Sequence, residues 1–215
     1  MDELTVDEAR LAVADTGRRM IRDGLVDGTA GNVSIRCGDT IAMSPSSVPY
    51  DRIEADDVCL VGIDGSVIDT GPRERTPTSE WQMHLAIYRE TSAKSVVHHH
   101  ALSCVAVSTV VDELPPLHYY VVRLGGAVRV APYARYGTST LARNVLTALE
   151  GRTGALLQNH GAVSYGRSLE EAYERAQALE WMSRLHLQAF SVGQPRVLSE
   201  AELADVLKPI DERLS

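Results

Sequence analysis

A chain of 215 residues that is 44% hydrophobic is long and apolar enough for one sizeable α/β domain with a full core, which excludes a disordered protein. Its net charge of −8, with no basic run, excludes a nucleic-acid-binding face and leaves any anionic ligand to local backbone N–H groups and hydroxyls. No apolar run reaches the length of a membrane helix, and the acidic start Met1-Asp2-Glu3-Leu4 lacks a basic-then-apolar leader pattern, so a cytoplasmic protein is expected.

Cys37, Cys59 and Cys104 are far apart and odd in number, as expected of buried, reduced thiols and not of a disulfide framework or a zinc ribbon. Of 21 basic residues only Lys94 and Lys208 are lysines. One follows Thr91-Ser92-Ala93 in an expected exposed turn and the other precedes Pro209. Neither offers the desolvated amine that Schiff-base chemistry needs.

In chain order, Thr5-Val6-Asp7-Glu8 reads as a capping box opening a helix that carries Ala9, Val13 and Met20 on one face and ends at Gly24. Gly28-Thr29-Ala30-Gly31 is a turn into a strand, able to aim several N–H groups at one anion. Thr40 to Met43 is a short strand, and Ser44 to Tyr50 a hydroxyl-rich loop stiffened by prolines. Val58 to Ile63 and Ser66 to Ile68 flank Asp64-Gly65 as a hairpin, so the first third is largely antiparallel β after one helix. Pro77 to Gln82 opens a second helix with Thr78 or Ser79 as N-cap, Glu80 in its first turn, and His84 one turn on, packed or hydrogen-bonded and not a ligand. Ala101 to Val110 is expected to be helical, Val128 to Ala131 a strand, and Tyr136 to Ser139 the cap of a helix ending near Gly151. Ala155 to Gln158 reads as a buried strand that continues as Ala162 to Ser164 beyond Asn159-His160-Gly161. Ser168-Leu169-Glu170-Glu171 is a capping box for a long helix reaching about Val192, and Ser199 starts a short last helix. With no repeat or linker, residues 1–215 are expected to form a single domain.

The chemistry centres on Val96-Val97-His98-His99-His100-Ala101. The valines favour a strand, on which His98 and His100 share one face and His99 takes the other. Alone, a His-x-His pair reads as a solvent-facing strand end. With His160 placed where an apolar strand stops, it becomes a three-nitrogen set with coordination left open for substrate or water. Zinc is the first choice for an all-imidazole set, and manganese, cobalt or iron also suit it. Adding Glu80 and the anion-binding loops points to a metal acting as Lewis acid on a phosphorylated carbonyl compound, with a base beside it.

Gly28-Thr29-Ala30-Gly31-Asn32-Val33-Ser34, Ser44-Pro45-Ser46, Val48-Pro49-Tyr50, Ser79-Glu80-Trp81, His98-His99-His100-Ala101, His118-Tyr119, Ala131-Pro132-Tyr133, Gly137-Thr138 and Gln158-Asn159-His160-Gly161 stand in the order found in the class II aldolase/adducin family, which the chain resembles from Gly28 to about Ser199. The resemblance implies an α/β (α+β-like) fold with a mixed, mainly antiparallel sheet flanked by helices. It implies a homotetramer with sites at subunit interfaces. It implies that His98, His100 and His160 bind Zn2+, and that Glu80 is the acid/base and also touches the metal in the empty site. Thr29, Asn32, Ser46, Ser47, Thr78 and Ser79 would surround a phosphate, and Tyr119 would donate a proton from a neighbouring subunit.

The implied activity is that of a zinc-dependent aldolase. It would reversibly cleave a ketose 1-phosphate, of the L-fuculose 1-phosphate kind, to dihydroxyacetone phosphate and a short aldehyde through a metal-stabilised enediolate. The alternatives are cleavage of 5-deoxyribulose or methylthioribulose 1-phosphate, or a dehydratase, decarboxylase or epimerase of the same family. The epimerases carry aspartate at the Glu80 position, so Glu80 with Tyr119 points to an aldolase. A non-catalytic adducin-like module lacks the three histidines, and a zinc hydrolase has less use for the phosphate loops. Three positions depart from the family pattern: Ser47 replaces the usual glycine, His99 replaces a common asparagine, and the tail over residues 207–213 has no tyrosine.

Overall fold

A computed structural model describes residues 4–208, so the first three residues and most of the tyrosine-free tail lie outside the described residues. Helix α1 (Val6–Arg22) leads to β1 (Asn32–Cys37), β2 (Thr40–Met43), β3 (Cys59–Gly62) and β4 (Val67–Asp69). Helix α2 (Trp81–Glu90), β5 (Ser95–His99) and α3 (Leu102–Ser108) follow. Then come β6 (Glu113–Leu114), a 3-10 helix (Tyr119–Leu124), β7 (Val128–Ala131) and α4 (Ser139–Ala148). The chain closes with β8 (Gly154–Leu157), β9 (Gly161–Gly166), α5 (Leu169–Val192) and α6 (Glu200–Val206).

The strands build one nine-stranded sheet in the order β4-β3-β2-β1-β5-β9-β8-β7-β6. Every neighbouring pair is antiparallel except β7 and β8. The mixed, mainly antiparallel sheet flanked by helices is therefore the architecture observed.

Alternation along the strands sends side chains to both faces of the sheet, where they join three apolar clusters among the described residues. Val33, Ile35 and Val97 face α1 and α5, meeting Val13, Met20 and Tyr173. Ile41, Met43 and Val96 face α2 and α4, meeting Leu85, Val145 and Leu157. The α1 capping box forms as expected: Glu8 N–H donates to Thr5, and the Glu8 carboxylate accepts from Thr5 N–H at 2.9 Å. Cys37, Cys59 and Cys104 form no disulfide, and no described helix is long and apolar enough to cross a membrane. Lys94 and Lys208 are both exposed, which leaves no buried amine for an imine.

Three expectations need correction. The N-cap of α2 is Glu80, not Thr78 or Ser79. Thr78 N–H donates to Ser44 O at 3.1 Å and Pro77 bridges Pro45, so this stretch is held against the neighbouring loop and the helix starts only at Trp81. Residues 155–164 are not one interrupted strand. Asn159 takes a left-handed φ of 55°, and β8 and β9 turn back on each other as antiparallel neighbours. At α5 the capping box is half formed: Ser168 Oγ accepts from Glu171 N–H at 3.1 Å, but the Glu171 carboxylate accepts from Arg167 N–H, one residue early. Strand β6 and the 3-10 helix carry too few residues for a periodic signal and were not expected.

Candidate metal centre

Strand register sets the site. Asn32 on β1 lies directly opposite His98 on β5, so both point to the α2 face of the sheet, and so does His100 just past the strand end. The reversal between β8 and β9 brings His160 to the same place. Two glycines permit the approach. A Cβ on Gly161 would lie 2.3 Å from His99 O and 3.0 Å from the His100 ring, and one on Gly31 would lie 2.6 Å from His98 O.

The rings of His98, His100 and His160 form a propeller, with centroids 4.8–4.9 Å apart and interplanar angles of 72–76°. His98 Nδ1 donates to Ala162 O at 2.9 Å, which fixes the ring orientation and turns Nε2 inward. That Nε2 lies 2.9 Å from His100 Nε2 and 3.0 Å from Glu80 Oε2. One candidate ligand atom from each of Glu80, His98, His100 and His160 falls within 4.8 Å of the others, the one such cluster among the described residues.

Burial favours neutral imidazoles at two of these positions. It pushes His100 down to about 3 and His160 to about 4, with the charge of His98 adding to both shifts. Burial also opposes charge on Glu80 and His98, but each outweighs that penalty for the other. Glu80 is held well below the usual carboxylate range and His98 is raised. The buried Glu80 Oε1 has no hydrogen-bond partner. Inward-facing nitrogen lone pairs and an unsatisfied carboxylate oxygen are a donor set that fits a divalent cation.

Behind the site, Asn32 Nδ2 donates to Glu80 Oε2 at 3.0 Å, and Asn32 Oδ1 meets His84 Nε2. His84 Nδ1 lies 2.7 Å from Ser34 Oγ, which lies 2.8 Å from Tyr88 OH. His84 is thus hydrogen-bonded and packed, as expected. The engagement of both ends of the Asn32 amide with Glu80 and His84 was not expected. Its sequence signal is the four-residue spacing Glu80, His84, Tyr88 on one helix face, set against the two-residue spacing of Asn32 and Ser34.

The expected phosphate loops are tied together. Tyr50 OH donates to Gly31 O at 2.8 Å and lies 3.1 Å from Ser44 Oγ. Ser46 N–H donates to Thr76 O at 2.7 Å. Thr29, Ser47 and Ser79 are exposed, Ser46 is half-buried and Thr78 is buried. Ser47 has a φ of 60°, so it keeps the backbone shape that glycine favours at that position. His99 is buried on the opposite face from the site, with Nδ1 accepting from Ala101 N–H. Tyr119 stands apart from the cluster. It is 49% exposed, and its ring contacts are His118 and Tyr120.

The sequence profile of the Class II Aldolase and Adducin N-terminal domain family matches residues 11–187. The chain belongs to that family. It is 38% identical over 201 residues to an L-fuculose phosphate aldolase of Escherichia coli strain K12, covering 91% of each chain. It is 32% identical over 211 residues to a 5-deoxy-D-ribulose 1-phosphate aldolase of Bacillus thuringiensis serovar kurstaki, covering 97% of this chain and 98% of that one. The fold matches a solved L-fuculose 1-phosphate aldolase with a TM-score of 0.88 at 31% identity, over 94% of this chain and 95% of the other. This class II aldolase is a lyase of a metal-dependent family, and the histidine–glutamate cluster is its candidate metal centre.

Proposed function

We propose that this class II aldolase reversibly cleaves a ketose 1-phosphate of the L-fuculose 1-phosphate kind to dihydroxyacetone phosphate and a short aldehyde. The observation that carries this reading is the convergence of His98, His100 and His160 on a buried carboxylate whose Oε1 accepts no hydrogen bond and lies 3.5 Å from His160 Nε2. The three imidazoles would hold zinc. A cation there supplies Lewis-acid stabilisation of the negative charge left when a proton is removed beside a carbonyl.

The remaining steps fall to side chains. Glu80 is ionised at neutral pH, and its unbonded Oε1 is the atom that takes the C3 proton of dihydroxyacetone phosphate in the synthetic direction. Water is kept from this base by burial: Glu80 is only 5% exposed. Thr29, Ser46, Ser47, Thr78 and Ser79 hold the phosphate through hydroxyls and loop N–H groups, and Asn32 borders the same place. Tyr119, on a neighbouring subunit of a cytoplasmic homotetramer, protonates the new alkoxide. Its exposure supports a role across an interface, as do exposed Leu102 and Trp181.

A second substrate reading, 5-deoxyribulose 1-phosphate, is favoured by the relative of that activity that matches 97% of this chain. The test is release of dihydroxyacetone phosphate from fuculose, rhamnulose, 5-deoxyribulose and methylthioribulose 1-phosphates, with and without chelator. Chelator-sensitive release from one of them names the substrate. Bound metal without release from any points to dehydration, decarboxylation or epimerisation.

A further inference from the structure

Removing a proton beside a carbonyl needs the base fixed in one orientation, with one oxygen free. Glu80 as a carboxylate only accepts hydrogen bonds. The end of the Asn32 amide on its Oε2, beside His98 Nε2, is therefore the NH2, at 3.0 Å. That leaves Asn32 Oδ1 facing His84 Nε2, which must carry a hydrogen. His84 is fully buried and its ring meets only an amide oxygen and a hydroxyl, with no carboxylate to balance a charge, so the ring is neutral and its Nδ1 accepts. The Ser34 hydroxyl at 2.7 Å then donates to Nδ1, and its remaining lone pairs accept from Tyr88 OH at 2.8 Å. Each link forces the next, and all the donors point toward the carboxylate. Ser34, His84 and Tyr88 are buried, so bulk solvent does not compete for these bonds.

An asparagine amide is nearly symmetric in shape, so only its partners decide which end faces Glu80. We infer that His84, Ser34 and Tyr88 are positioning residues for proton transfer: their one-way hydrogen-bond chain locks the Asn32 amide with its NH2 on Glu80 Oε2 and so reserves Oε1 for substrate. The inference rests on Glu80 being the acid/base. Without the His84 N–H, Asn32 Oδ1 is left buried without a donor, the amide is no longer held in place, and Glu80 loses the support that fixes its working position.

The test isolates proton removal by following deuterium wash-in at C3 of dihydroxyacetone phosphate in D2O, with no aldehyde present. His84→Leu is expected to slow wash-in about 10- to 100-fold, as loss of an outer partner typically does, with metal content and KM unchanged. His84→Gln, whose side-chain NH2 can donate to Asn32, is expected to recover most of the rate. If His84→Leu does not fold, Tyr88→Phe decides, since it deletes one hydroxyl at constant volume and is expected to slow wash-in in the same sense. Tyr173→Phe is the control. It loses a buried tyrosine's bond to Asp23 on the opposite face and is expected to lower Tm without touching wash-in. Wild-type rates in a metal-replete His84→Leu or in Tyr88→Phe overturn the inference while leaving the aldolase reading intact. A wild-type protein that washes in no deuterium overturns both.

Discussion

His98, His100 and His160 contribute one nitrogen each to a common point, so alanine at any of them leaves a set too small for tight binding. Metal by elemental analysis is expected to fall from about one ion per chain to near none, and cleavage by at least about 100-fold. His98 and His100 could be paired from sequence because strand alternation is a local rule. His160 needed a motif, because the reversal at Asn159 that delivers it sets in only once β8 and β9 have paired. The partners of Glu80 were less legible still. Asn32 reaches Glu80 across 48 residues of sequence, and only the register of β1 on β5 and the docking of α2 place them together. His84, by contrast, sits one turn from Glu80, and its packed character could be read directly.

Helix α1 acts on the site through Tyr50, whose ring lies against Gly17 while its hydroxyl ties the Gly31 turn to the Ser44 loop. A Cβ at Gly17 would lie 2.3 Å from that ring. Alanine in a helix interior ordinarily stabilises by about 1 kcal/mol over glycine, but here overpacking is expected to reverse the sign, by roughly 1–3 kcal/mol. Denaturant unfolding of Gly17→Ala gives that sign directly. The loop before α2 depends on Asp57. Burial would raise its carboxyl, but the Glu54 N–H together with Arg73 and Arg75 outweighs burial and holds it below the ordinary range. A depressed folded-state value contributes stability above the unfolded value and loses it as pH falls through the folded one. Asp57→Asn is therefore expected to lower Tm at neutral pH. The gap to wild type should close as the pH drops below about 4, which a pH series of thermal melts measures. The elements around this loop were legible from capping residues and alternation. The late start of α2 was not, because the Thr78 and Pro77 contacts with the neighbouring loop belong to tertiary packing.

If Tyr119 serves the site of a neighbouring subunit, neither Tyr119→Phe nor Glu80→Gln alone should cleave substrate well, yet the two can complement each other. Random co-assembly places a native Tyr119 beside a native Glu80 at about a quarter of sites, so mixing the unfolded variants and refolding them together is expected to restore about a quarter of wild-type activity. No recovery from a mixture that forms the same oligomer would assign the proton donor to the same chain or to another residue. The assembly itself was legible only through the family resemblance, since which aromatics are exposed is set by the fold and cannot be read from the sequence. The base and its buried supports hang on the middle of the sheet and one helix, whereas the hydroxyls expected to touch substrate lie in loops at the ends of β1 and β2 and before α2. The exposed hydroxyls of those loops can be changed without disturbing how the proton is moved, provided Gly31, Ser44 and Tyr50 are kept. Directed evolution for a new aldehyde or ketose phosphate therefore has a defined target: vary Thr29, Ala30, Ser46, Ser47 and Ser79, and leave Gly31, Ser44, Tyr50 and the Asn32-to-Tyr88 frame alone.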